Sequence, residues 1–157
     1  MRRIASKSIR QLNLLSAEVD IVPAYQDADP AGVVWHGNYF RYFDTARCAL
    51  LDKLDYGYRE MEDSGYLWPI IDTRVRYMKS ATYDQPLRVT AMLSEWENRL
   101  KIVYEVLDKS GQCITEAYTM QAALEIATGE ICLITPQPLV DRLAKLGIKA
   151  EQDDPGE

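Results

Sequence analysis

Residues 27–47 read DADPAGVVWHGNYFRYFDTAR, and in them a turn runs straight into a helix. In the second half Tyr39, Phe43, Ala46, Leu50 and, further on, Leu54 recur at spacings of three and four, which marks one apolar helix face, with Phe40 and Leu51 widening it. Asn38 is expected to cap this helix through its side-chain oxygen, and Asp52 and Lys53 are expected at solvent. The first half, Asp27 to Tyr39, holds Pro30, Gly32 and Gly37, with Asp29 seven residues before His36, the only histidine of the chain. A glycine-bearing turn and the first turn of a helix both leave backbone N–H groups unpaired, which makes an anion site. A carboxylate beside such donors places a base or nucleophile where an oxyanion can form, the arrangement acyl transfer needs. The other reading stays open at this point: Asp27 and Asp29 only bond turn backbone, and Gly32 only satisfies a turn dihedral.

Outward from this segment the pattern changes to strands. Ala17 to Tyr25 is expected as a first strand, and Tyr58 to Asp63 as a second short helix ending near Gly65. Ile71, Thr73, Val75 and Tyr77 then alternate with Asp72, Arg74, Arg76 and Met78. Pro86 to Trp96 and Leu100 to Leu107 follow as further strands, with a turn at Lys109-Ser110-Gly111. Ile114, Glu116, Tyr118, Met120, Ala122 and Leu124 are expected on one face of the last long strand, and a Thr128-Gly129 turn returns the chain through Ile131 to Ile134. Pro136 and Pro138 stop the sheet, and Leu139 to Leu146 suits a terminal helix. One helix followed by strands in series predicts an α+β domain over residues 17–147, an antiparallel sheet wrapped around a long helix. Residues 1–16 are an N-terminal extension and residues 148–157 an acidic, solvated tail. The exposed edges of such a sheet predict a dimer.

Composition narrows the function classes. With 157 residues and a net charge of −6, the chain suits one domain and lacks the basic stripe that nucleic acid requires. The basic opening MRRIASKSIRQ is not followed by an apolar run of signal or membrane-spanning length. Cys48, Cys113 and Cys132 are widely spaced and without a CxxC pair, so neither a disulfide framework nor a transition-metal site is expected, and a reducing cytoplasm fits. Cys48 has no histidine partner for a Cys–His hydrolase.

DADPAGVVWHGNYFRYFDTAR resembles the signature of the 4-hydroxybenzoyl-CoA thioesterase family of hot-dog-fold enzymes, and within it the YbgC-like acyl-CoA thioesterases. The resemblance rests on the Asp27/Asp29 pair, Gly32-Val33-Val34, Trp35, His36 and the Asn38-Tyr39 helix entry, and extends through the element order to about residue 134. It implies a hot-dog fold with active sites at the interface of a dimer that can pair again into a tetramer. It places the catalytic carboxylate on Asp29 and the histidine of the YbgC-like branch on His36. The hydroxybenzoyl-specific branch has tyrosine at the position of His36, which favours the broader acyl-thioesterase branch. The expected reaction is hydrolysis of an acyl thioester to an acid and a free thiol, with Asp29 attacking the carbonyl or activating water. The backbone N–H of His36, helped by the loop of Gly32, Val33, Val34 and Trp35, is the expected oxyanion donor. Asp27 is expected to brace the turn, and Tyr39 to serve the core or line a pocket. No separate cofactor is expected, since coenzyme A or phosphopantetheine belongs to the substrate. Arg99 with Lys101, or Arg74 with Arg76, are candidates for the phosphate-bearing carrier, whether coenzyme A or an acyl carrier protein. The alternative from another class is a hot-dog protein that binds acyl-CoA without consuming it.

Overall fold

The computed structural model describes residues 15–149. The N-terminal extension, apart from its last two residues, and all but the first two residues of the tail lie outside this range. Strand β1 (Ser16–Ile21) leads through a 3-10 turn at Tyr25–Asp27 and a second at His36–Asn38 into helix α1 (Tyr39–Asp52). Helix α2 (Tyr58–Asp63) follows, then β2 (Tyr66–Leu67), β3 (Ile70–Tyr77), β4 (Leu87–Glu95), β5 (Leu100–Leu107), β6 (Cys113–Gln121), β7 (Leu124–Glu125) and helix α3 (Gln137–Lys145). Five strands form one antiparallel sheet in the order β1-β4-β5-β6-β3, and β2 pairs with β7 in a separate two-stranded ladder.

Helix α1 packs its apolar stripe against strands β1 and β4 of this sheet. Tyr39, Phe43, Ala46, Leu50 and Leu54 are all buried, as the spacing predicts, and the Phe43 ring lies 4.9 Å from that of Tyr104 on β5. Fully burying each large side chain stabilises by about 1.5–3 kcal/mol. Phe40 departs from the expectation: it is 41% exposed, because it falls on the side of the helix turned from the sheet, whereas Leu51 is buried. The helix stops where Asp55 adopts φ of 51° and the Tyr56 N–H donates to the Leu51 carbonyl, the left-handed closure more often made by glycine.

The face assignment on β6 needs correction. Leu107 pairs with Cys113 but Val106 pairs with Thr115, so Ile114 is an extra residue, a bulge that resets the alternation. Ile114 still reaches the core, but beyond it Ala117, Thr119 and Gln121 face inward, and Tyr118 joins Met92 and Val103 on the outer face. The strand also ends at Gln121 rather than Leu124. Likewise β1 ends at Ile21, and Ile131–Ile134 makes only a single bridge, Ile131 to Leu124, leaving Leu133 and Ile134 exposed.

Candidate active site

Residues 29–33 close into a tight hairpin tip. The Gly32 N–H donates to the Asp29 carbonyl (2.9 Å), the Asp29 N–H donates to the Val33 carbonyl (2.8 Å), and Gly32 has φ of 82°. This is a three-residue loop, a reversal beginning at Pro30 followed by a left-handed residue, a geometry that favours glycine. A Cβ on Gly32 would meet nothing within 4 Å, so the turn dihedral, not close approach, is what asks for glycine here. The close approach occurs instead at Gly37, which the sequence reading passed over. A Cβ there would lie 2.3 Å from the Trp35 ring, so the indole can fold onto the helix entry only over glycine.

Below the tip the stem is a short antiparallel ladder. Ala28 bridges Val34, the Trp35 N–H donates to the Asp27 carbonyl (2.9 Å), and the Val34 N–H donates to the Ala81 carbonyl (2.8 Å). These bonds narrow the expected oxyanion loop, because the N–H groups of Gly32, Val34 and Trp35 are already spent on protein carbonyls. Among the described residues, no backbone acceptor takes the N–H groups of His36 and Gly37 at the start of the turn that opens α1. The His36 carbonyl is held from the sheet by the Tyr77 hydroxyl, 2.6 Å away, and its exposed ring lies against Trp35 and Tyr77.

Asp29 is half-buried, and its Oδ1 accepts the Ala31 N–H at 2.8 Å. Its Oδ2 carries no hydrogen bond among the described residues. Asp27 is the opposite case: it is buried, and all its oxygens are engaged. The Oδ2 accepts from the Tyr42 hydroxyl (2.7 Å) and the Ala24 N–H (3.1 Å), and Oδ1 from Arg41 Nη2 (2.5 Å). Its carbonyl takes the Asn38 Nδ2 (2.9 Å) besides Trp35. The expected bracing role therefore fits this geometry, whereas the expected Asn38 cap does not form. That side chain reaches back to Asp27 and makes no cap bond to α1. Tyr39 is a core residue, 2% exposed, against the rings of Tyr42, Phe43 and Tyr77.

Burial opposes ionisation of Asp27, but the Tyr42 hydroxyl, the Ala24 N–H and Arg41 together outweigh it and hold the carboxyl below its usual range. Burial and the same carboxylate push the Tyr42 hydroxyl strongly upward. Because the folded-state value of Asp27 is depressed, its contribution to stability is present above the unfolded-state value and is lost as pH falls through the folded one. Asp27→Ala is expected to destabilise by ~2–3 kcal/mol, since it leaves the buried Tyr42 hydroxyl without an acceptor. Urea unfolding at neutral pH and again near pH 3 checks this, with the gap between variant and parent narrowing at the lower pH.

The four basic candidates gather around β6 rather than forming two separate pairs. Arg74 sits opposite Tyr118 and Lys101 opposite Met120 in register, the Lys101 ammonium lies 4.8 Å from the Tyr118 ring centre, and Arg99 Nη1 lies 3.5 Å from Met120 Sδ. Arg76 sits opposite Glu116 in register. Acidic groups interleave: the Tyr118 hydroxyl donates to Asp72, and Lys101 is 3.8 Å from Glu95. Glu105, Cys113 and Glu116 bring possible ligand atoms within 4.8 Å of one another, but none of the three side chains is free. Cys48, Cys113 and Cys132 form no disulfide with one another, and no helix among the described residues is long and apolar enough to cross a membrane.

Residues 23–143 match the model of the thioesterase-like superfamily. The chain is 32% identical over 85 residues to YneP of Bacillus subtilis (strain 168), which bears the provisional name of an acyl-CoA thioesterase; the match covers 54% of this chain and 61% of YneP. It is 30% identical over 78 residues to the 4-hydroxybenzoyl-CoA thioesterase of Pseudomonas sp. (strain CBS-3), covering 48% of this chain and 55% of that one. Thus the chain spans a little over half the length of these two curated relatives. Among solved structures, a DHNA-CoA thioesterase from Staphylococcus aureus superposes with a TM-score of 0.69 at 28% identity, covering 75% of this chain and 80% of that one. These relatives are named as acyl thioester hydrolases, and the helix wrapped by an antiparallel sheet is the hot-dog architecture. The family match spans most of the chain and includes the whole hairpin and α1, and on that ground the chain belongs to the thioesterase-like superfamily.

Proposed function

We propose that the protein hydrolyses acyl-CoA thioesters to a carboxylic acid and free coenzyme A, with Asp29 as the catalytic carboxylate and the His36 N–H as the oxyanion donor. One observation carries the assignment within the hairpin. The neighbouring N–H groups of Gly32, Val34 and Trp35 and both carboxylate oxygens of Asp27 are spent on protein partners, while among the described residues Asp29 Oδ2 and the N–H groups of His36 and Gly37 at the helix entry take none. In the direct route Asp29 takes a proton from water, the resulting oxygen nucleophile attacks the carbonyl, and the C–S bond breaks as the proton passes to the leaving sulfur. In the covalent route Asp29 itself attacks, thiolate leaves, and water opens the mixed anhydride. Both pass through an oxyanion that an N–H donor stabilises, worth about 3 kcal/mol per donor in comparable sites. The His36 ring positions the thioester rather than exchanging protons with it. Arg74, Arg99 and Lys101 are the candidate contacts for the carrier's phosphates.

The working unit in this reading is a dimer. Strand β3 lies at the end of the sheet, nearly all of it is exposed, and it carries Ile70, Ile71 and Tyr77 at 41–45% exposure. An eight-residue edge of this kind calls for a partner strand, and a two-fold axis supplies an identical one. Three cysteines that form no disulfide with one another suit a reducing, cytoplasmic setting. A panel of aromatic, short-chain and long-chain acyl thioesters, each on coenzyme A and on acyl carrier protein, is expected to release free thiol, with the coenzyme A series turned over at least as well. Binding without thiol release across the panel would replace this reading with the silent acyl-CoA-binding one.

A further inference from the structure

We propose that Tyr42 is a positioning residue for Asp29, acting through Asp27; the inference rests on the thioesterase reading above. The bonds that shape Asp29 are local to residues 29–33. They fix the tip of the hairpin but not its placement against α1, where the His36 N–H lies. That placement is made by the stem, and the stem's side-chain links to the helix converge on Asp27. Its carboxylate binds Arg41 and Tyr42, both in the first turns of α1, and its carbonyl binds Trp35 and Asn38 on the approach to that helix.

The two carboxylate partners differ in stiffness. The Arg41 side chain is 65% exposed, so its ion pair is screened by solvent and made by a long, mobile stem. Tyr42 is 5% exposed, and its ring packs edge-on against Tyr39 at 5.7 Å. Its hydroxyl is thus a fixed point in the core, and the Asp27 carboxylate is pinned to it. The chain of fixed contacts runs from Tyr39 to Tyr42 to Asp27 to the stem to Asp29, while the same helix presents the oxyanion donor. Tyr42 points into the core and reaches the reaction only through this chain. A misplacement of 1 Å in a reacting group can cost ~100-fold in rate, so a lost pin is read in turnover before it is read in binding.

The test is Tyr42→Phe in the parent and in an Asp29→Asn background, with kcat and KM measured for the best acyl-CoA of the panel and folding checked by near-UV circular dichroism. Tyr42→Phe is expected to lower kcat ~10-fold with KM changed less than ~2-fold, and to cause no further loss on Asp29→Asn, because coupled residues are not additive. Parent-like kcat in folded Tyr42→Phe overturns the proposal, as does a rise in KM alone or an equal fractional loss in both backgrounds. Should Tyr42→Phe fail to fold, Asp27→Asn decides: it keeps the side chain's size, removes the charge that the Tyr42 hydroxyl binds, and is expected to lower kcat and not KM. An unchanged kcat there counts against the proposal. The Asp29 assignment fails separately, if Asp29→Asn alone leaves turnover intact, and the thioesterase reading fails if the parent releases no thiol across the panel.

Discussion

Asp29→Asn is expected to lower kcat by ~100-fold or more while leaving the fold and thioester binding in place. The change keeps the side chain's size and leaves an oxygen to accept the Ala31 N–H that Oδ1 now takes at 2.8 Å, so the turn persists. What disappears is the negative charge, which both hydrolytic routes need. His36→Ala retains the backbone N–H and loses only an exposed ring, so its loss is expected to be smaller than that of Asp29→Asn. Turnover of folded Asp29→Asn near the parent value would reject Asp29 as the catalytic carboxylate. Equal losses in the two variants, with binding retained, would give the His36 ring a part in the chemistry itself. Single turnover in isotopically labelled water separates the two routes, since label passes into the Asp29 side chain only when an anhydride forms there.

Dissociation of the proposed dimer is expected to abolish turnover rather than reduce it. The exposed edge of β3 leads directly to Tyr77, whose hydroxyl holds the His36 carbonyl and whose ring touches Tyr39. A partner strand on that edge therefore bears on the same side chain that steadies the oxyanion turn. Mass and thiol release measured over one dilution series are expected to fall together. Mixing Asp29→Asn subunits with subunits inactivated elsewhere in the pocket is expected to restore part of the activity if each site draws on both copies. A fully active monomer would remove the shared site and leave the Asp29 chemistry standing.

Much of this architecture was legible in the chain, because periodicity reports burial directly. The spacing of Tyr39, Phe43, Ala46 and Leu50 located α1, and the apolar run Leu100–Leu107 gave β5 its observed bounds. The segments that resisted were those where one residue or one distant bond decides. A single bulged residue, Ile114, reverses the face of everything after it on β6, and no local pattern announces a bulge. Strands β2 and β7 are two residues each, too short to show a period. Asn38 has the composition of a cap, yet a carbonyl eleven residues earlier competes for its side chain and wins. In the site, the turn and the two carboxylates could be read from residue type. Which of their donors are already spent could not, because Val34 is paired by Ala81 and Asp27 by Tyr42, contacts that only the folded chain creates.

The hairpin that carries Asp29 is held almost entirely by main-chain bonds within residues 27–35, and by few side chains apart from Asp27. The groups proposed to react are thus insulated from the identity of the surrounding apolar residues. Trp35, Phe40 and Tyr58, each more than 40% exposed in the single chain, can be exchanged without rebuilding the turn, provided Gly37 stays small beneath Trp35. A lineage built on this plan is free to diversify what it accepts while inheriting one way of breaking the bond. Selection on substrate range and selection on chemistry act on different residues of the same short segment.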